Sequence, residues 1–240
     1  MKFNTNSNTY IITYSVVMVV IVAVLLSVAA LGLKPRQEAN MLNEKKTQIV
    51  KALGEDPATV AYDSVIAKAV VLDASGAVVS EDVNDVFAAL NDLKGSFAAG
   101  RFPLFVANNG VVVPLYGAGL WGPIWGYIAL DADMNTVKGI VLDHSGETPC
   151  LGAEITTPKH QAMYPGKNVY EGDAIVGVTL KKGGADKSNP HEVDAITGGT
   201  KTSDGVTAMI SDCLNYYKPY FDAARAAATE VEAESNTINE

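Results

Sequence analysis

The chain has 240 residues, 48% of them apolar, with 18 basic against 27 acidic side chains and a net charge of −9. That length buries the core of one folded domain and leaves residues for a membrane attachment. An acidic balance without a basic face excludes general nucleic-acid binding, because nothing would neutralise a run of phosphates.

After a short tail, residues 1–9, the stretch 10–33 carries no charge. As a helix it would be about 36 Å long, enough to cross a hydrocarbon core of about 30 Å with modest tilt. The apolar run is longer than the ~7–15 residues of a signal-peptide core, so it reads as an uncleaved transmembrane helix; small residues at Ser27, Ala29 and Ala30 keep cleavage open as the alternative. Lys2 alone precedes it, whereas Lys34, Arg36, Lys45 and Lys46 follow. Counted by the positive-inside rule, those charges place the large domain in the cytoplasm.

Residues 34–60 read as a linker helix segment, helical over 37–53 with Met41, Leu42, Ile49, Val50 and Leu53 on one side and Gly54 as its stop. A domain over residues 61–228 follows. Its predicted elements are a strand at 67–72, a polar turn through Asp73 and Gly76, and a helix at 83–93. Asn109-Gly110 is a hairpin turn between two apolar triplets. Further strands are expected at 124–130, 136–142 and 174–180, with 131–135 as a turn. The fold class is therefore α+β: a mostly antiparallel sheet domain with flanking helices behind a single N-terminal transmembrane helix. Glycines alternate with large aromatics over residues 117–126, which predicts a tight bend packed by Trp121 and Trp125.

The densest chemical signal is Asp194-Ala195-Ile196-Thr197-Gly198-Gly199-Thr200-Lys201-Thr202-Ser203. Adjacent glycines let backbone approach a ligand closely. Val206, Ile210, Cys213, Leu214, Tyr217 and Phe221 then recur at helical spacing, with Ser203 or Thr202 as N-cap. A helix start of this kind favours an anionic group such as a phosphate. The acidic stretch 229–240 is expected to be frayed or disordered. Cys150 and Cys213 read as free thiols rather than a disulfide, and two thiols cannot hold a zinc ion or iron–sulfur cluster unaided. His144, His160 and His191 lack metal-ligand spacing and read as loop or surface residues. No metal site, Ser/His/Asp triad or carboxylate pair is legible, so no catalytic residue is assigned.

Asp194-x-x-Thr197-Gly198-Gly199-Thr200-x-Thr202 resembles the flavinylation motif of the covalent FMN-binding domains, Asp-x-x-Ser/Thr-Gly-Ala-Thr-x-Ser/Thr, with Gly199 in place of the usual alanine. In that family the threonine closing the triplet carries FMN through a phosphodiester, and Thr200 holds its place. The segment Gly117-Ala118-Gly119-Leu120-Trp121 resembles the Gly-x-Gly-Leu-Trp of one subgroup, the C subunits of Na+-translocating NADH:quinone reductases. The run His144-Ser145-Gly146-Glu147-Thr148-Pro149-Cys150-Leu151-Gly152 is similar to that subgroup's His-x-Gly-Glu-Thr-Pro-Gly-Leu-Gly. Cys150 replaces a glycine; if the site needs positive φ, cysteine is strained there by ~1 kcal/mol or more.

The resemblance implies a cofactor-binding set of Thr200, Thr197, Gly198, Gly199, Thr202 and Asp194, with Glu147 and Thr148 offering polar contacts to flavin edges and Leu151 and Gly152 beside them. A lysine-Gly-Gly segment sits near the flavin in related subunits; Lys182-Gly183-Gly184 resembles it, which implies Lys182 as a cation near the flavin, where it would raise the potential. A flavin transferase would attach FMN from FAD after export. Electrons would arrive from a metal centre in the membrane subunits and leave to another flavin on the way to quinone, with other membrane and peripheral subunits as partners. The implied location is the bacterial inner membrane, single-pass, with the large domain periplasmic, against the charge count. The span holds no Asp, Glu, Lys, Arg or His for a sodium path. Two alternatives remain: the related FMN subunit of a ferredoxin:NAD+ oxidoreductase, and a membrane-tethered scaffold without redox role.

Overall fold

In the computed structural model, residues 7–238 are described, with side chains as far as residue 227. The chain divides into two compact units, Met1–Lys46 and Thr47–Glu240. The first consists of helix α1 (Asn8–Ala52), whose last turns belong to the second unit. Every side chain from residue 8 to 44 is exposed, including Ile12, Leu25 and Leu31. The helix is long and apolar enough to cross a membrane. Span and linker form one continuous helix. Pro35 lies inside the helix; it forfeits one amide donor, and the turns on either side continue. The helix ends at Ala52 with Gly54 as its stop, as expected: Gly54, at φ 81°, donates to Lys51 O and Glu55 donates to Val50 O, a left-handed C-terminal cap. Of the expected tail at 1–9, residues 1–6 lie outside the described residues.

The second unit is built on a six-stranded antiparallel sheet. After the short α2 (Tyr62–Val65) come β1 (Ile66–Leu72), β2 (Val78–Ser80), α3 (Val83–Asn91), α4 (Leu93–Ala98), β3 (Phe102–Ala107), β4 (Gly110–Ala118), β5 (Pro123–Leu130) and β6 (Val137–His144). The sheet order is β2-β1-β3-β4-β5-β6. Asp82 and Asp92 start α3 and α4 by accepting from Asn84 N and Gly95 N, each at 3.0 Å. The hairpin turn sits one residue earlier than expected: Ala107 pairs with Gly110, so Asn108 and Asn109 form the turn. Gly110 takes the positive φ, 115°, in a position where a Cβ would meet Leu130 O at 2.0 Å.

Alternation along the strands sends Val111, Val113 and Leu115 into one core and Val112 into the other. The end of α1 and α3 cover the Val112 face through Ile49, Ala52, Val86 and Phe87. The opposite face is covered by α6 (Thr200–Ile238), with Val206, Met209, Ile210, Cys213, Leu214, Tyr217 and Phe221 buried. Between these parts lie α5 (Pro158–Gln161), β7 (Tyr170–Glu171), β8 (Ala174–Ile175), β9 (Thr179–Lys181) and β10 (Glu192–Asp194). The single strand expected at 174–180 is thus two short ones. Gly177, at φ 68°, bends the chain between them, where a Cβ would come within 3.2 Å of Ser211 Cα. β9 pairs in parallel with β10 rather than joining the large sheet.

The acidic C-terminal stretch, expected to be frayed, continues as helix to Ile238, as its alanines and glutamates favour. Residues 239–240 lie outside the described residues.

Candidate functional site

The position of α6 follows from a defect in the sheet. The β3–β4 ladder ends at Val112, and Pro114 has no amide to extend it. The edge of β4 beyond that point is met by α6. Tyr116 N–H donates to Cys213 Sγ, and the thiol donates to Tyr116 O, each at 3.4 Å. Burial pushes that thiol up to about 12. Closer to the helix start, a Cβ on Gly205 would lie 2.3 Å from Ala118 O, so helix and strand touch through backbone. This contact sets the first turn of α6 against the end of β4 and the turn that follows it.

Three segments converge there. In the turn at residues 119–122, Gly119 N–H donates to Gly122 O at 2.8 Å. In the loop after β6, Glu147 N–H donates to His144 Nδ1 at 3.1 Å, and Thr148 O accepts from Leu151 and Ala153. In the loop before α6, Gly198 takes φ 77° and Ser203 N–H donates to Gly199 O at 2.9 Å, the first helical bond. Gly199 is therefore the cap, and Thr202 and Ser203, expected as caps, lie within the first turn. The amides of Thr200, Lys201 and Thr202 have no helical carbonyl four residues back.

Glu147 binds the three segments together. Its side chain is only 5% exposed. Oε2 accepts from Thr202 Oγ1 at 2.6 Å, and Oε1 accepts from Trp121 N at 2.9 Å. Burial alone would raise its pKa; the hydrogen bonds from Thr202 and the Trp121 and Leu120 amides outweigh burial and hold the carboxyl below its usual range. Gly119 and Gly152 leave it room: a Cβ on either would sit 2.4 Å from a carboxylate oxygen.

The hydroxyls of the motif divide sharply. Thr202 and Ser203 are buried and engaged, the latter accepting from Ile196 N at 3.1 Å. Thr200 is half-buried, and Thr197 and Gly198 are at the loop surface. Leu151, 39% exposed, packs over Gly198, where its Cδ2 is 2.6 Å from the position of an added Cβ. Beside this loop lies a groove of about 490 Å³ lined by Cys150, Glu154, Thr157, His160, Ile196 and Thr197, among others.

The structure thus brings Thr197, Gly198, Gly199, Thr200, Thr202, Glu147, Leu151 and Gly152 together, with Thr148 next to them. Other expectations need correction. Glu147 does not hold its carboxylate out towards a ligand; it is turned inward and engaged by Thr202 and Trp121. Asp194 lines the same groove, while its Oδ1 accepts from Ala185 N at 2.7 Å, a loop tie. Lys182 is exposed in the turn after β9; the preceding Lys181 is the one paired with Asp194 in the ladder, and its Nζ lies 3.7 Å from Glu192. Trp121 does not pack the bend, being 69% exposed. His160, expected at the surface, is buried against Tyr164 OH at 3.0 Å, and burial lowers its pKa from 6.5 to about 4. Cys150 does adopt positive φ, 60°, and both cysteines are free. The groove residues Glu154, Thr157 and His160 were missed, since their approach to Ile196 leaves no spacing signal in the chain.

Residues 119–215 match the family model described as the FMN-binding domain, a span that contains all three converging segments. Over 96% of this chain and 99% of its relative, the sequence is 30% identical to the C subunit of the Na(+)-translocating NADH-quinone reductase of Pseudomonas aeruginosa. The chain belongs to the family of C subunits of these reductases. The corresponding protein of Pasteurella multocida is 40% identical over 141 residues, which are 56% of this chain and 54% of that one. The solved structure of the C subunit from Parabacteroides distasonis superposes with a TM-score of 0.72 at 34% identity, covering 79% of this chain and 96% of that chain. A flavin mononucleotide fits the site that this family member carries. Helix-start amides without a helical acceptor are available to its phosphate, Gly198 allows close backbone approach, and the adjoining groove lies within the usual ~300–1,000 Å³ of small-molecule sites.

Proposed function

We propose that this chain is the electron-carrying flavoprotein subunit of a membrane-bound Na+-translocating NADH:quinone oxidoreductase, with FMN joined to Thr200 through a phosphodiester. The observation that carries the assignment is the division of hydroxyls in the first turn of α6: Thr202 and Ser203 are buried and hydrogen-bonded, whereas Thr200 is half-buried at the loop end. In maturation Thr200 Oγ1 forms the new bond to the FMN phosphorus of FAD, the pyrophosphate bond breaks with AMP as leaving group, and the hydroxyl proton passes to the transferase. Helix-start amides compensate the remaining phosphate charge. Bound FMN supplies the redox chemistry; the chain holds it permanently where a freely exchanging cofactor would be lost to dilution. In this reading Thr148, Leu151 and Gly152 border the flavin, while Glu147 and Thr202 support it from beneath.

The residues of α1 from 10 to 33 serve as the single membrane anchor, and the sheet domain stands on the periplasmic side among the other subunits of the complex. The experiment is to purify the protein from its own membranes, denature it in acid, and map flavin by fluorescence and peptide mass. Native protein is expected to carry an FMN-sized addition on the Thr200 peptide, and Thr200→Ala to fold without it. Acid-stable flavin on the Thr200→Ala protein would refute the assignment.

A further inference from the structure

The motif places Glu147 at the flavin's edge, but its geometry gives it another task. Among the described residues, its carboxylate ties together all three segments that form the site: it belongs to the loop after β6, accepts from Trp121 N in the turn at 119–122, and accepts from Thr202 Oγ1 in the first turn of α6. The positions around it are kept clear. A Cβ on Gly119 would approach Oε1 to 2.4 Å, and one on Gly152 would approach Oε2 to 2.4 Å and Thr202 Oγ1 to 2.5 Å. Thr202 and Glu147 are separated by 55 positions in the chain, so this bond is a long-range clasp rather than a local cap. A buried carboxylate needs its donors, and here they come from two different segments, so neither segment can move away without leaving the charge under-satisfied.

We propose that Glu147 is a positioning residue for flavin attachment: through Thr202 it fixes the first turn of α6, and through Trp121 it fixes the adjoining turn, so that Thr200 is presented to the transferase in one orientation. The inference rests on the Thr200 reading. Thr200 stands two residues before Thr202 on the same turn, so any rotation that frees Thr202 moves Thr200 with it. Glutamate suits the task better than a neutral side chain, because an ionised carboxylate accepts from both partners at once without offering a competing donor.

The test is the initial rate at which the full chain, produced without the transferase, takes up acid-stable flavin from FAD when purified transferase is added. Glu147→Ala and Thr202→Val are each expected to slow uptake by about tenfold to hundredfold, the range that a small misplacement of a reacting group produces. The double variant should be no slower than the worse single one, since both act through one hydrogen bond. Glu147→Gln keeps the shape and the acceptor for Trp121 N, and its amide can donate to a reoriented Thr202 hydroxyl, so it is expected to recover most of the rate. Val112→Ala, on the far face of the sheet, serves as a control that lowers the melting temperature without touching the clasp, and it should react at the wild-type rate. The proposal is overturned if Glu147→Ala reacts like wild type, if the Val112→Ala control is slowed as much, or if the two single effects multiply in the double variant. If Glu147→Ala does not fold, Thr202→Val and Glu147→Gln decide the same question. A wild-type chain that takes up flavin elsewhere than Thr200 would instead sink the attachment site itself, whatever the order among the variants.

Discussion

Replacing Gly205 by alanine tests whether α6 is seated by its backbone contact with β4. In a free helix the change is favourable by about 1 kcal/mol, because glycine loses more backbone freedom than alanine. Here the new Cβ would lie 2.3 Å from Ala118 O, a backbone atom that cannot swing aside. Relieving it to ordinary contact requires a displacement of about 1 Å, and overpacking of this kind costs ~1–3 kcal/mol. The second effect matches or exceeds the first, so a net loss of up to about 2 kcal/mol is expected, or up to ~8 °C in melting temperature for a domain of this size. The same displacement would stretch the Thr202–Glu147 bond from 2.6 Å to beyond hydrogen-bonding range. Urea unfolding, followed by circular dichroism on the solubilised chain, measures the first effect. A Gly205→Ala protein more stable than wild type would refute the reasoning, since it would mean that the helix start stands clear of the strand.

Of the two thiols, Cys150 is exposed and Cys213 is buried with its pKa raised to about 12, so a thiol reagent at pH 8 should label one cysteine rapidly and the second only on unfolding; rapid labelling of both would place the α6 contact in doubt. Between pH 6.5 and about 4 the unfolded chain protonates at His160 while the folded chain resists it, so stability is complete above that window and falls as the pH is lowered through it. The loss should be on the order of 1–3 kcal/mol, and His160→Gln should flatten the dependence; an unchanged pH profile in that variant would argue against the buried position.

Much of the fold was legible because strand alternation and helical periodicity are local records of burial. Val111, Val112 and Val113 pack on alternate faces of the sheet as their spacing requires, and the stripe from Val206 to Phe221 is buried along its length. What failed depended on tertiary partners. β2 carries exposed Val78 and Val79 and has no buried face to announce it. The run 174–180 has strand composition, but Gly177 must turn beneath α6. Trp121 looked like a packing residue from its size alone; in the fold its amide is what Glu147 uses. His160 gave no signal, because its burial comes from a helix of a single turn closing over Tyr164.

The site shows the same division, and its two departures from the motif show why. Gly199 stands where alanine is usual, and a Cβ there would meet Ile196 Cγ2 at 2.9 Å and Cβ at 3.2 Å, so an alanine needs a small shift of that residue. Cys150 stands where glycine is usual and holds φ 60° with its side chain exposed, so the backbone shape survives at a strain of ~1 kcal/mol or more. Neither exchange touches a buried hydrogen bond. By contrast, Gly119 and Gly152 both match the motif, and at either a Cβ would strike the Glu147 carboxylate. The motif is therefore a set of positions around one buried acceptor. Residues that only shape the loops can vary at small cost, while those that border the carboxylate cannot gain an atom without breaking the junction between β4, the loop after β6 and the start of α6.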